Sequence, residues 1–206
     1  MEIEYFYASY SAYAYIGAAE LYRIAKKHGA KIIHKPMDLR QVMPASGSQS
    51  FAERSDAHKK YFFNREIIRW AEYRGITIME KIPTHHNNSI KLSNCMLIAA
   101  DNAGLDVAAL AEEMMRAHWV DDADLDNRSD LQKMCEAVGM KADDLFAAAE
   151  TDAVVGQYDA NTQEAIDRDV FGSPTYFVGG DMFYGQDHLE LVERALLKPF
   201  KGSWPL

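Results

Sequence analysis

Residues 5–25, YFYASYSAYAYIGAAELYRIA, join a strand pattern to a helix pattern through a short polar turn. The segment before the turn, EIEYFYA at 2–8, alternates charged and apolar residues and then becomes aromatic, which predicts a strand that enters a core. From Tyr13 to His28 apolar residues recur at helical spacing, and Gly29 ends the run. The turn between them contains Ser9 and Ser11, so hydroxyl groups lie where a strand ends and a helix begins.

Strand patterns occur again after the first helix and near the C-terminal end of the sequence. Residues 30–38, AKIIHKPMD, predict a second strand, with Pro36 at a sheet edge or a strand end because proline has no amide donor. Strand, helix and strand in this order predict a right-handed parallel crossover. Near the other end, SPTYFVGGDMFYG at 173–185 predicts a hairpin, and Asp187 is expected to open a final helix, HLELVERALL.

The middle of the chain is helical in pattern. After a predicted loop, RQVMPASGSQS at 40–50, helical spacing recurs at 52–74, 88–103, 106–118, 128–138, 142–151 and 159–169, with Asp106 and Asp143 as expected starts. The order βαβ, helical block, ββα predicts an α/β, thioredoxin-like fold with a large all-helical insertion. We expect residues 1–40 and 168–206 to form the thioredoxin-like domain and residues 41–167 the insertion domain.

Composition narrows the class of protein. The 206 residues are 48% hydrophobic and 26% charged, which suits a globular chain, and the net charge of -9 argues against nucleic-acid binding. Neither a signal-peptide pattern nor an apolar run of membrane-spanning length is found, so no membrane partner is expected. Cys95 and Cys135 stand far apart in helix-like surroundings, which predicts free thiols and a cytoplasmic location. His85 and His86 are neighbours in a loop pattern and predict no metal site.

The turn before the first helix is the first candidate site. A helix N-terminus offers unpaired amides and the positive end of the helix dipole, and it stabilises an anion such as a thiolate. Thioredoxin-like proteins usually carry Cys-x-x-Cys at this turn. This chain has Ser11, Ala12, Tyr13 and Ala14 there, so dithiol redox chemistry is excluded. Ser11 can cap the helix, donate a hydrogen bond to a thiolate of another molecule, or do both.

The second candidate piece is FGSPTYF at 171–177. In a thioredoxin-like fold the X-Pro bond before the strand that follows the insertion is typically cis and faces the first helix N-terminus. Ser173–Pro174 occupies that place, and the backbone of Ser173 would face a bound peptide or thiol. The alternative is a trans proline that simply begins a strand.

With both pieces in place, the chain resembles the family of 2-hydroxychromene-2-carboxylate isomerase and kappa-class glutathione transferase. The resemblance covers nearly the whole chain and rests on the order and spacing of FYASYSAYAYIG, MDL at 37–39, KKYFFNREIIRWAEYRGI at 59–76, QYDANTQEAIDRDVFGSPTYFVGG and MFYGQDHLELVE. It implies a DsbA-like thioredoxin fold, reduced glutathione as cofactor, a small aromatic or conjugated substrate, and a homodimer.

The resemblance also implies residue roles. Ser11 would be the catalytic residue that polarises the glutathione sulfur, Lys59 would meet glutathione, and Ser173 with Pro174 would present backbone. The pair Gln186 and Asp187 would hold the γ-glutamyl end. Lys59 suits a carboxylate and Asp187 suits the ammonium group, with Arg54 as a further carboxylate partner. The alternatives are a solvated Lys59 and an Asp187 that only caps the last helix.

The chain departs from the family pattern at Ala12, where proline is frequent, at Glu53, where the isomerases carry an asparagine, and at Gln186-Asp187, where the family carries Asn-Asp or Ser-Asp. The isomerases also tend to carry an Arg-Met-Asn-like stretch where this chain has Lys91-Leu92-Ser93-Asn94. Glu53 would repel a carboxylate of glutathione. These departures keep the substrate and the cofactor open.

The predicted function is a glutathione-dependent isomerase that acts on an aromatic, 2-hydroxychromene-2-carboxylate-like substrate by reversible thiol addition. The alternatives are a kappa-like glutathione transferase or peroxidase, which uses the same site on an external electrophile, and a thioredoxin-fold binding protein without turnover. A cluster of tyrosines can line an aromatic substrate pocket or belong to the core: Tyr5, Tyr7, Tyr10, Tyr13 and Tyr15.

Overall fold

The central sheet has four strands in the order β2-β1-β3-β4, in a computed structural model that describes residues 1–49, 53–202 and 204–205. The strands are β1 (Glu2–Tyr7), β2 (Lys31–Pro36), β3 (Thr175–Val178) and β4 (Asp181–Tyr184). β1 is parallel to β2 and antiparallel to β3, and β3 is antiparallel to β4. The predicted parallel pair and hairpin are therefore confirmed, and Pro36 ends the edge strand β2.

Helices surround this sheet and fill the middle of the chain. They are α1 (Ala12–His28), α2 (Leu39–Ala45), α3 (Asp56–Lys59), a π-helical segment (Lys60–Glu66), α4 (Ile67–Arg74), α5 (Lys91–Asn102), α6 (Val107–Val120), α7 (Arg128–Ala137), α8 (Ala142–Ala149), α9 (Asp152–Asp167), a 3₁₀ turn (Gln186–His188) and α10 (Leu189–Leu197). The thioredoxin-like fold with a helical insertion is confirmed. Within the described residues, no helix has both the length and the apolar character to cross a membrane.

Strand β1 lies between β2 and β3, and its side chains are buried on both faces of the sheet. Tyr5 stacks on Tyr7 and on Tyr176 of β3, with ring centroids 4.2 and 5.4 Å apart. The hydroxyl of Tyr7 forms a 3.0 Å hydrogen bond with His34 of β2. Tyr5 and Tyr7 are completely buried, so these two tyrosines belong to the core.

Helix α1 has the expected start and stop. Ser11 is its N-cap, and its side chain accepts a hydrogen bond from the Ala14 amide. Gly29 ends the helix at φ +61°, a backbone conformation that favours glycine, and its amide donates to the carbonyls of the last turn. Three basic residues complement the dipole at this end: Lys26, Lys27 and His28.

Asn94 of α5 connects the insertion to the sheet. Its Oδ1 accepts the Ser9 amide at 3.1 Å, and its Nδ2 donates to the Met37 carbonyl at 3.0 Å. The neighbouring Ser93 hydroxyl bonds the Ser9 hydroxyl at 2.8 Å. Asn94, Ser93 and Ser9 are fully buried. One helix of the insertion therefore fixes the turn after β1 and the chain after β2 at the same point.

Two helices differ from the sequence expectation. The predicted loop at 40–50 begins inside a helix, because residues 39–45 form α2, whose first turn is capped by the Asp38 side chain and whose Leu39 and Val42 are buried. Helix α9 begins at Asp152 rather than at 159, with Thr151 as its N-cap. Gly156 within this helix weakens the helical signal in the sequence.

Two predicted helix starts also need correction. Asp143 lies inside the first turn of α8, and Lys141 precedes that helix. Asp187 does not open the final helix, since it lies in the 3₁₀ turn and α10 begins at Leu189. By contrast, Asp106 caps α6 as predicted. The predicted division at 40/41 falls inside α2, and the division at 167/168 falls at the end of α9.

Replacing Asn94 by alanine is expected to lower the free energy of unfolding by about 2–4 kcal/mol, because the Ser9 amide and the Met37 carbonyl lose their buried partner. Asn102 lies on the same helix, is exposed, and its side-chain amide donates to Gln157 at the surface, so Asn102→Ala should change stability by less than about 0.5 kcal/mol. Urea unfolding of both variants measures the difference, and equal effects would contradict the anchoring role.

Candidate functional site

A cleft of about 580 Å³ opens at the N-terminus of α1. Its polar floor contains Ser11 and Ser173, and charged groups reach it from Arg40, Arg54, Glu66 and Asp187. Aromatic side chains form much of the remaining wall: Tyr10, Tyr13, Phe62, Phe63, Trp70 and Trp119. The strand-to-helix turn, the helical insertion and the hairpin end therefore meet at one site.

Ser11 makes two hydrogen bonds at the floor of the cleft. Its hydroxyl accepts from the Ala14 amide at 3.2 Å and donates to the Ser173 carbonyl at 3.0 Å. The Ser173–Pro174 bond is cis, as predicted, and it lies beside Ser11. The capping role of Ser11 is confirmed, and its single proton is held by Ser173.

The first turn of α1, directly after Ser11, contains two backbone amides that are available to a ligand. The Ala12 and Tyr13 amides are the first two of α1, and neither has an acceptor in the described part of the chain. Both residues line the cleft. Two unpaired donors and the positive end of the helix dipole favour an anion at this floor.

Contacts with distant parts of the chain hold the turn in place. The Ser173 hydroxyl accepts the Ala8 amide at 3.1 Å, and the Trp119 indole donates to the Tyr10 carbonyl at 2.7 Å. Together with Asn94 on the other side, these contacts fix the position of Ser11 and of the amides after it.

Asp187, in the 3₁₀ turn that follows β4, also lines the cleft. Its side chain is about 50% exposed, and its Oδ1 is 3.4 Å from His188 Nδ1. The preceding Gly185 donates its amide to the Pro174 carbonyl at 2.9 Å, which ties this turn to the loop of Ser173. Since Asp187 caps no helix, its carboxylate is available to a ligand in the cleft.

Arg54 is a cation of the cleft lining. Its guanidinium lies 5.0 Å from the ring centroid of Phe62, another residue of the lining. Lys59 ends α3, is half-buried and does not line the cleft. Glu53, which was expected to repel a carboxylate, is exposed and also lies outside the lining.

Gln186 has a different environment from its neighbour Asp187. Its side chain is only 1% exposed, and its Oε1 accepts a hydrogen bond from Arg74 Nε at 3.2 Å. Arg74 also donates to the Gln186 carbonyl at 3.3 Å. In this structure Gln186 lies behind the cleft and supports the 3₁₀ turn, while Asp187 faces the cleft.

The tyrosines of the cleft remain protonated near neutral pH. Burial raises the pKa of Tyr10 to about 12, although Arg40 partly opposes the shift. Burial and then Glu66 raise the pKa of Tyr13, whose hydroxyl donates to the Phe62 carbonyl at 3.2 Å. Ser9 is buried against Ser93 and lies outside the lining. None of these groups supplies an ionised nucleophile.

Sequence reasoning assigned no role to several residues of the cleft. Trp119, Arg40 and His86 belong to the lining, yet they come from α6, α2 and the loop before α5. Their place depends on how the insertion folds back over α1. For Phe62 and Phe63, which also belong to the wall, the aromatic run at 61–63 was a signal that the sequence offered.

The family can be decided from a comparison that covers most of the chain. Residues 2–197 match the model of the DSBA-like thioredoxin domain. The chain belongs to the DsbA-like thioredoxin family. Its relatives include 2-hydroxychromene-2-carboxylate isomerase of Pseudomonas putida, which is 27% identical over 95% of this chain and 94% of the relative.

Solved structures give the same picture. A structure of 2-hydroxychromene-2-carboxylate isomerase superposes with a TM-score of 0.82 at 26% identity and covers 96% of this chain and 95% of that chain. A probable DsbA oxidoreductase from Streptomyces coelicolor, at 16% identity, has a TM-score of 0.79 and covers 100% of this chain and 92% of its own. The second likeness supports the fold alone.

Adding a methyl group at Gly185 is expected to displace Asp187. Gly185 has φ +96°, and a Cβ there would overlap the Asp187 carboxylate. Gly180 has φ +87° and open space around it, so Gly180→Ala is a control for backbone strain alone, at about 1–2 kcal/mol. Gly185→Ala should lower the unfolding free energy further and move the carboxylate in a crystal structure. Equal stability and an unmoved Asp187 would contradict this account.

Proposed function

We propose that the protein is a glutathione-dependent isomerase that acts on an aromatic substrate similar to 2-hydroxychromene-2-carboxylate. The observation that carries the proposal is Ser11 at an anion-binding helix end, in a family whose sulfur chemistry uses this turn. The two cysteines of the chain are buried and do not line the cleft. A reactive sulfur at this site must therefore come from a bound thiol, and relatives named as isomerases support the reaction class.

The residues present fit the chemical groups of glutathione. A thiolate suits the unpaired Ala12 and Tyr13 amides together with the Ser11 hydroxyl. A carboxylate suits Arg54, and the ammonium group suits Asp187. These charges lie on the lining of one cleft, so one ligand can meet them together.

When bound by these residues, glutathione would supply a thiolate nucleophile for a reversible addition that opens the ring of the substrate, permits rotation about the former double bond and ends with the thiolate released unchanged. The task of the chain is to keep the sulfur ionised. Each unit by which a thiol pKa falls is worth about 1.4 kcal/mol, and a helix N-terminus with one hydroxyl donor can provide that amount.

To donate a hydrogen bond to the sulfur, the Ser11 hydroxyl must give up its hydrogen bond to the Ser173 carbonyl. Its proton is donated to the Ser173 carbonyl, so a hydrogen bond to a thiolate requires the hydroxyl to turn from that oxygen. A bond from a hydroxyl to an anion is stronger than one to a neutral carbonyl. The Ala14 amide can stay on the Ser11 oxygen throughout, so the cap and the sulfur contact are compatible.

The upper part of the cleft suits a planar aromatic substrate. Tyr10, Phe63 and Trp119 provide ring surfaces close to the floor and exclude water from it. The test is to incubate the protein with 2-hydroxychromene-2-carboxylate and reduced glutathione and to follow the products by chromatography and mass. An isomerase gives a product of unchanged mass and leaves the glutathione concentration constant. A mass increase by one glutathione identifies the transferase alternative, and no reaction despite binding identifies a binding protein.

Loss of either charge in the cleft is expected to weaken glutathione binding. Asp187→Asn and Arg54→Met should each raise the dissociation constant roughly five- to tenfold, because each removes one partly exposed ionic contact. Lys59→Ala should have a smaller effect, since Lys59 lies outside the lining.

Calorimetric titration with reduced glutathione measures these changes, and Asp144→Asn on the exposed side of α8 is the matched control. Wild-type protein that shows neither heat nor a melting shift up to millimolar glutathione would exclude the cofactor.

Ser11→Ala is expected to raise the pKa of the bound thiol by about one unit, because the sulfur loses a donor to its ionised form. Turnover near neutral pH should then fall and recover partly at alkaline pH, where the thiol ionises without help. Absorbance of the thiolate against pH measures the shift.

Thr151→Ala separates this effect from lost capping. Thr151 caps α9 far from the cleft lining, so its removal should cost a similar stability, about 1 kcal/mol, with no change in the thiol pKa. A folded Ser11→Ala with an unaltered thiol pKa would mean that the serine only caps the helix.

A further inference from the structure

His86 is a residue of the cleft to which the proposed chemistry gives no role. It lies in the loop before α5, is partly exposed and belongs to the lining together with Tyr10 and Trp119. Its ring meets Tyr10 edge to face at 4.8 Å between centroids and meets Trp119 at 5.3 Å. His86 is therefore part of the aromatic end of the cleft.

A second histidine fixes the proton on His86. His118 of α6 places its Nδ1 at 2.9 Å from the Ala123 carbonyl, which can only accept, so His118 Nδ1 carries a proton. His118 Nε2 is then an acceptor, and it lies 3.0 Å from His86 Nδ1. His86 Nδ1 must therefore be the donor of that bond, and the neutral His86 ring keeps an unprotonated Nε2.

Burial favours the neutral form of both rings at neutral pH. Burial lowers the pKa of His86 to about 3, with further contributions from His118 and Arg40, and burial also lowers the pKa of His118. The loop is held from the other side by Arg40 Nη2, which donates to the carbonyls of His86 and Asn88 at 3.1 and 2.9 Å. The position and the tautomer of His86 are thus both fixed.

None of the hydrogen bonds among the described residues involves His86 Nε2, while His86 Nδ1 is occupied by His118. A partly buried acceptor beside aromatic walls is most favourable when a ligand donates to it. The groups of glutathione were assigned to the floor, around Ser11, Arg54 and Asp187. The acceptor lies with the aromatic rings instead.

We propose that His86 Nε2 accepts a hydrogen bond from a hydroxyl group on the aromatic substrate, and that His118 holds His86 in the tautomer that makes this possible. The cleft would thereby select hydroxyl-bearing aromatic compounds over analogues without the hydroxyl. This inference rests on the proposed function, because it takes the aromatic end of the cleft as the place of the substrate. His86 is a binding residue in this scheme, and His118 is a positioning residue.

The tautomer is tested on the protein without ligand. Nitrogen-15 spectra of labelled wild-type protein at neutral pH should show His86 with a protonated Nδ1 and an unprotonated Nε2. His118→Phe should abolish this fixed pattern, because Nδ1 loses its acceptor. A wild-type His86 that is protonated on Nε2 would overturn the proposal.

Ligand selection is tested with trans-2-hydroxycinnamate and with cinnamate, which lacks the hydroxyl. Wild-type protein should bind the hydroxylated probe roughly fivefold more tightly, measured by calorimetry or by quenching of tryptophan fluorescence. His86→Phe keeps the aromatic wall but should lose the preference. His86→Gln can place an amide oxygen near the position of Nε2 and should keep part of it.

The remaining outcomes are also decisive. Equal affinity of wild-type protein for both probes, no binding of either, or an unchanged preference in His86→Phe would each overturn the inference. Neither measurement uses glutathione or turnover. A protein with the expected tautomer and preference but without isomerase activity would contradict the proposed function and leave the hydroxyl acceptor in place.

Discussion

The buried amide of Asn94 is the contact on which the arrangement of this protein depends. It satisfies the amide of Ser9 and the carbonyl of Met37 at once, in a region where water cannot replace it. These two groups belong to the turn after β1 and to the chain after β2, so one side chain sets the end of two neighbouring strands. Because Asn94 lies on α5, the same contact fixes the insertion above the sheet and creates the cleft between them.

The cleft has the helix N-terminus at which thioredoxin-like proteins usually carry their redox cysteines, but this chain has no cysteine there. A helix N-terminus favours negative charge wherever the charge comes from. In this chain the Ser11 hydroxyl already bonds Ser173, and the Ala12 and Tyr13 amides have no acceptor within the part of the chain that the structure describes. The turn therefore offers donors to an anion, which supports our proposal that an external thiol binds there.

The adjacent residues Gln186 and Asp187 have different environments. The 3₁₀ turn directs Asp187 to the cleft and Gln186 to Arg74 behind it. Gly17 in α1 makes room for this arrangement, since a Cβ there would lie 2.6 Å from the Gln186 side chain. The pair was predicted as a unit from resemblance, but the backbone at Gly185 separates the two side chains.

The sequence by itself determined the local features: the strand and helix on either side of Ser11, the stop at Gly29, the cap at Asp106, and the βαβ and ββα succession of elements along the chain that goes with a thioredoxin-like fold. Each of these depends on caps, periodicity or turn residues within a few positions, and such signals are written in the neighbouring residues. Only the tertiary structure decided that Lys59 lies outside the cleft, that Gln186 lies behind it, and that His86 and Trp119 complete its wall. Those outcomes depend on contacts such as that between the Trp119 indole and the Tyr10 carbonyl, 109 positions apart, which arise when α6 packs over α1. No local pattern specifies such a pairing, because it is the packing of whole helices that brings the two groups together.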